Sequence, residues 1–235
     1  DDSWAVIIGI DKYKYSDPLH YAVKDAEAVR NMLIDKFDYP EENIRYLTDE
    51  EATLLNIKVN LGEVATSAGE NDRILVFYSG HGQTLIGADK SEKGYIIPYE
   101  GKQDNPYATG IAMDEILTTS QISKSKHMLF LMDACYSGLM AEQKRGIQKS
   151  KNKENYISTV GNISARQIIT AGGAEDEAME SDEWEHSVFA HNLLNALNNW
   201  EAANSNSGFI TASELGEYLR NWVSNDTMGK QTPEV

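Results

Sequence analysis

A single cysteine, Cys135, stands in a chain of 235 residues, so no internal disulfide framework braces the fold. A lone thiol is compatible with a reducing compartment, and a cytoplasmic setting is expected. No apolar run approaches the length of a membrane span, and no charged-then-apolar leader precedes Trp4. Positive charge is also scarce, with 21 lysines and arginines against 37 aspartates and glutamates, a formal net charge of −16. Such a surface repels a phosphate backbone over most of its area, which argues against nucleic acid and for basic peptides as partners. Gly80-His81-Gly82-Gln83 lacks the glycine spacing and the lysine of a phosphate loop, which removes nucleotide binding of that type. His20, His127, His186 and His191 show no spacing with cysteine or carboxylates that would assemble a zinc site. No internal repeat or low-complexity tract stands out.

The 41% hydrophobic content is enough to bury a sizeable core in one compact domain. Asp1-Asp2-Ser3 leads directly into an apolar run, as in a piece excised from a longer multidomain chain or complex. That run, Trp4 to Ile10, predicts a buried strand, followed by a polar and aromatic loop through Asp11, Tyr13, Tyr15 and Pro18. Ala22, Ala26, Val29 and Leu33 recur at helical spacing between Leu19 and about Phe37. A strand at Asn43 to Leu47 and a helix capped by Thr53 and ending near Ala68 come next, then a strand from Asp72 to Ser79. A short strand, Gly94 to Pro98, interrupts the long loop that follows, and a helix runs from Ala112 to about Ile122. Lys126 to Asp133 and Arg166 to Thr170 predict two more buried strands. The helix from Ser187 to Trp200 and the capping box Thr211-Ala212-Ser213-Glu214, which opens a further helix, complete the pattern. Strands alternating with helices imply an α/β fold with a mostly parallel central sheet of about six strands and helices on both faces.

Two stretches share one grammar. Arg73 to Gly82 and Leu129 to Gly138 each run from a buried strand into a small-residue turn, with His81 at the mouth of the first and Cys135 at the mouth of the second. If the two strands lie side by side and parallel, their ends are about 5 Å apart and both residues open into one crevice. A thiolate is a nucleophile, and a neighbouring imidazole can protonate a leaving amine. The backbone N–H groups of Gly82 and Cys135 are candidate oxyanion donors. The bland alternative is a buried, inert core thiol beside a loop histidine.

Tyr78-Ser79-Gly80-His81-Gly82, followed by Asp133-Ala134-Cys135-Tyr136-Ser137-Gly138, resembles the caspase-like cysteine peptidases, most closely the metacaspases and the bacterial caspase-like proteins (orthocaspases). The resemblance implies a caspase-like fold with His81 and Cys135 as the catalytic dyad. It also implies a large-subunit-like part over residues 1–140, a connector over 141–160 and a small-subunit-like part over 161–235. Asp133, two residues before the thiol, and Ser79, two before the imidazole, match residues that line the pocket for arginine or lysine in metacaspases, and Asp25 on the first helix matches a third. Strand alternation puts Asp133 on the same side as Cys135; the alternative is that Asp133 merely caps the strand-end turn and Asp25 faces solvent on its helix. Caspases proper cut after aspartate and need an arginine-rich pocket, whereas the pocket positions here are acidic or hydroxylic, so the expected activity is that of an endopeptidase cutting after Arg or Lys. The alternative is a catalytically silent scaffold that keeps the fold and binds a peptide or partner without cutting it.

Between Gln143 and Lys153 the residues Lys144, Arg145, Lys149, Lys151 and Lys153 crowd into an otherwise acidic chain. This segment reads either as a solvated connector or as a self-cleavage segment of a latent zymogen. No cofactor is required by these residues. Calcium, which some metacaspases need, remains optional: Asp114 and Glu100 stand roughly where acidic ligands occur in that family, but Met113 replaces the expected second acid. The acidic stretch Glu175 to Glu185 is a second place that would attract a hard cation.

Overall fold

The structure, a computed structural model, describes residues 2–135, 165–173, 176, 178–203 and 210–235, with Cys135 described through its backbone only. The basic connector therefore lies outside the described residues. Five parallel strands form the central sheet: β1 (Ser3–Gly9), β2 (Ile44–Thr48), β3 (Arg73–Ser79), β7 (His127–Cys135) and β8 (Ala165–Gly172), in the order β2-β1-β3-β7-β8. The expectation of about six strands is corrected to five among the described residues. Beyond β8 there is one isolated antiparallel bridge, between Thr170 and Glu234.

Because side chains alternate across a strand, each unbroken apolar run supplies two cores. Ala5 and Ile7 of β1, Leu75 and Phe77 of β3 and Leu131 of β7 face one side, where they meet α1 (Ala22–Phe37), α5 (Val188–Asn198) and α6 (Ala212–Asp226). Val6, Ile8, Ile74, Val76, Phe130 and Met132 face the other, against α2 (Leu54–Ser67) and α4 (Met113–Ile122). A small antiparallel sheet of β4 (Gly82–Ile86), β5 (Glu92–Ile96) and β6 (Ile111–Ala112) follows β3, with the short α3 (Pro106–Thr109) between β5 and β6. The long loop expected after His81 therefore contains a small sheet, whose first strand the weak apolar signal of Gln83 to Glu92 concealed. A two-residue hairpin, β9 (Glu180–Ser181) with β10 (His186–Ser187), occupies part of the acidic stretch before α5.

The caps predicted at Thr53 and Thr211 are in place, and Ser187 supplies a further one. Thr53 accepts from Asn56 N at 3.2 Å, Ser187 accepts from Ala190 N at 2.8 Å, and Thr211 and Glu214 form the reciprocal capping box. Helix α1 has no side-chain cap of its own at Tyr21. Instead, Asp11 Oδ1 accepts from Ala22 N at 2.7 Å, and Glu180 Oε1 accepts from Tyr21 N at 2.8 Å and His20 N at 2.9 Å. Carboxylates at the positive end of a helix are favourable, and here they also tie the start of α1 to β9.

At the carboxyl end of β1, a Cβ on Gly9 would lie 2.5 Å from Ala22 O, 2.7 Å from Ala26 Cβ and 2.9 Å from Val23 Cα. Helix α1 packs on the sheet through this gap, and it cannot shift without carrying its pocket residue with it. Gly9→Ala is expected to lower stability by about 1–3 kcal/mol through overpacking. Gly62→Ala, in the middle of α2 with nothing within 4 Å, is expected to raise it by about 0.5–1 kcal/mol. Thermal or denaturant unfolding of the two variants checks the opposite signs.

Candidate active site

Strands β3 and β7 are parallel neighbours, and Ser79 is the register partner of Asp133. His81 follows Ser79 by two residues and Cys135 follows Asp133 by two, so the two strand-end motifs emerge side by side at one level of the sheet. Gly80 N donates to Asp133 O at 3.3 Å, carrying the pairing one residue past β3. The register of β7 on β8 shifts between Met132 and Cys135, where Cys135 pairs with Gly172. This irregularity removes simple alternation as a guide to the Cys135 side chain, which lies outside the described residues.

The half-buried His81 ring is held from the loop that precedes α1. Its Nε2 lies 2.7 Å from the main-chain oxygen of Asp17. A carbonyl only accepts, so Nε2 carries the proton and Nδ1 of the neutral ring is the atom left to take one. Tyr13 packs against the imidazole with ring centroids 4.6 Å apart. Sequence reasoning identified a dyad without a third member, and Asp17 escaped it because a main-chain acceptor leaves no trace in residue type.

Beneath this level lies a buried acidic cluster. Asp25, Asp133, Ser79 and Ser187 are all buried, at 0%, 2%, 3% and 5% exposure. Asp25 Oδ1 accepts from His186 Nδ1 at 2.5 Å, and its Oδ2 accepts from Ser187 N at 3.2 Å. Asp133 Oδ2 accepts from Ser187 Oγ at 2.5 Å, and the Ser79 hydroxyl sits between the two acids, 3.5 Å from Asp25 Oδ2 and 3.4 Å from Asp133 Oδ2. Asp133 Oδ1 is buried and has no hydrogen-bond partner among the described residues. All three expected pocket residues are thus brought together, and Asp25 faces inward rather than solvent. His186 and Ser187 were missed, having been weighed only as a zinc ligand and as a helix start. Their position immediately before an apolar helix was the available signal.

Burial raises the Asp25 carboxyl above its usual range despite the opposing pull of His186 and Ser187. Burial, reinforced by the charge of Asp25, pushes Asp133 from 3.8 up to about 8. An acid raised in this way keeps a proton in the folded protein that the unfolded chain has released. Its contribution is therefore most favourable below about pH 4 and is lost as pH rises towards 8.

Asp114 pairs with Lys93 at 3.8 Å, Glu100 Oε1 accepts from Leu54 N at 3.1 Å, and the described residues contain no group of three or more side chains suited to hold a metal. Among the described residues, no helix is long and apolar enough to cross a membrane.

The family profile described as "Caspase domain" (Peptidase_C14) matches residues 2–235. The chain belongs to the caspase-domain family of cysteine peptidases. Its curated relatives include Metacaspase-1 of Eremothecium gossypii, 29% identical over 71% of this chain and 40% of the relative, and Metacaspase-6 of Arabidopsis thaliana, 27% identical over 72% and 48%. This caspase-domain chain thus spans less than half the length of those relatives. Among solved structures, a Geobacter sulfurreducens protein superposes with a TM-score of 0.65 at 15% identity, covering 100% of this chain and 92% of that one. Caspase-1 from Spodoptera frugiperda follows with a TM-score of 0.62 at 12% identity, covering 99% and 84%. These similarities establish the caspase fold.

Asp133→Asn removes the buried acid while keeping an acceptor for Ser187. The variant is expected to gain stability over the wild type as pH rises from 5 to 8, by up to about 1.4 kcal/mol per pH unit. Melting curves at both pH values measure the gap, and an equal gap at the two would contradict a raised Asp133.

Proposed function

We propose that this domain is a cysteine endopeptidase that cleaves after arginine or lysine, using Cys135 as nucleophile and His81 as general acid and base. The observation that carries this reading is the buried Oδ1 of Asp133 beside Asp25, which has no hydrogen-bond partner among the described residues, at the foot of the two strand ends. A buried acceptor without a partner is costly, and a guanidinium or ammonium entering the pocket supplies both the missing donors and a countercharge. The net charge of −16 favours approach of such substrates.

In the proposed reaction the Cys135 thiolate adds to the scissile carbonyl, and the Gly82 and Cys135 N–H groups receive the oxyanion. Collapse to the thioester expels the amine, which takes its proton from His81. His81 then removes a proton from water, which attacks the thioester and releases the acid and the thiolate. The Asp17 carbonyl on Nε2 leaves Nδ1 as the nitrogen that exchanges protons in both steps.

Fluorogenic peptides ending in Arg, Lys, Asp or Ala before the reporter test this reading. Turnover is expected for Arg and Lys only, with none in Cys135→Ala or His81→Ala. A loss of about 10²-fold or more in kcat/KM for Arg is expected in Asp133→Asn, as for truncation of a buried charge pair. Preference for Asp, or indifference to this residue, would sink the proposal.

The basic stretch from Gln143 to Lys153 supplies cleavage sites of the same chemistry, and we place self-processing there. Intact masses of wild type and Cys135→Ala are expected to differ by a cut in this stretch, present only in the wild type. Identical single-chain masses would count against it.

A further inference from the structure

Both main-chain polar groups of His81 end on tyrosine hydroxyls. The His81 N–H donates to Tyr13 Oη at 2.7 Å, and the His81 carbonyl accepts from Tyr78 Oη at 2.7 Å and from Ile97 N at 3.0 Å. The two hydroxyls are 3.4 Å apart, and Tyr78 Oη also lies 3.1 Å from Ile97 O. Each hydroxyl has one proton. With the Tyr78 proton on a carbonyl, the Tyr13 proton is directed at Tyr78, and the bonds close a circuit around one peptide segment. Burial raises the Tyr13 phenol above its ordinary value, so it stays a neutral donor. Gly80 makes room for this arrangement: a Cβ there would lie 2.5 Å from Tyr13 Oη and 2.7 Å from Tyr78 Oη.

We infer that Tyr13 and Tyr78 are positioning residues that divide the dyad's geometry between them, Tyr13 setting the imidazole and Tyr78 setting the oxyanion donor of Gly82. Tyr13 holds His81 twice, through the N–H and through its ring against the imidazole. Tyr78 acts one bond further on. The peptide joining His81 to Gly82 is planar and trans, so its C=O and N–H point in opposite directions. Anchoring the carbonyl on Tyr78 and Ile97 therefore sets the line along which the Gly82 N–H points. The second half of this inference rests on the proposed peptidase reading, and the first does not.

Tyr13→Phe and Tyr78→Phe keep the rings and delete the hydroxyls. Two readouts separate them: kcat and KM on an Arg-terminated peptide, and the rate at which iodoacetamide alkylates Cys135 between pH 5 and 9. Alkylation needs the thiolate and its imidazolium partner but no oxyanion donor. Tyr13→Phe is expected to lower kcat about tenfold with KM within about twofold, and to slow alkylation below neutral pH. Tyr78→Phe is expected to lower kcat by about 10-fold to 10²-fold, short of the full loss of an oxyanion donor because Ile97 N remains, and to leave alkylation unchanged. Equal loss of both readouts in both variants, in step with melting temperature, would reduce the tyrosines to fold stabilisers and overturn the inference. So would kcat within about twofold of wild type in each. If the wild type cuts no Arg peptide, the proposed function fails separately. Alkylation then decides: slower in Tyr13→Phe supports the imidazole half, and unchanged overturns it.

Discussion

Parallel pairing of β3 with β7, with Ser79 opposite Asp133, is the constraint on which the rest of the site depends. It brings two chain segments that are more than 50 residues apart to one level of the sheet. The same register sets two layers at once. Below, Ser79 and Asp133 face α1 and meet Asp25; above, His81 follows the end of β3 and Cys135 is the last residue of β7. A slip of β7 by one residue would turn Asp133 to the opposite face, against α2 and α4, and part it from Ser79 and Asp25. The continuous apolar character of both strands resists such a slip, since each residue is already fitted to one of two packed cores.

The cluster shows how buried acids are tolerated when their surroundings are only partly neutralising: burial raises both carboxyls, and Asp133 keeps its proton up to about pH 8. Asp25 has His186 and a backbone N–H; among the described residues, Asp133 has a single short hydroxyl contact on one oxygen and none on the other. The two acids share Ser79, so the ionisation of one opposes that of the other. Ser187 links this pair to the fold, because its hydroxyl donates to Asp133 while accepting from the first turn of α5. Pocket, helix start and hairpin β9–β10 are therefore one unit, and the acid pair is held from a part of the chain beyond residue 165.

Loop residues before α1 perform the corresponding task for the histidine. Asp49 accepts from Asp11 N and Lys12 N, both at 2.9 Å, and Lys14 N donates to Tyr99 O at 2.9 Å. Fastened in this way, the loop delivers Tyr13 and the Asp17 carbonyl to His81 from a segment that carries no motif. Its only visible features in the sequence were polar and aromatic composition and a proline.

The two strand-end motifs, the helical period of α1, the caps at Thr53 and Thr211 and the acid at position 133 are all local patterns. They are legible in the sequence because short-range sterics and hydrophobic periodicity leave their mark on neighbouring residues. From them followed the α/β class and the dyad candidates, whereas the grouping of Ser79, Asp133 and Asp25 into one pocket was implied by the resemblance to metacaspases. What only the tertiary structure decided is the company each side chain keeps: the Asp17 carbonyl on His81, His186 on Asp25, the orphaned Asp133 oxygen, and the five-stranded count among described residues. These contacts join segments tens to more than a hundred residues apart, and several use main-chain atoms that every residue possesses. A hydrogen bond to a carbonyl has no residue-type signature, so no reading of the letters alone could have assigned it.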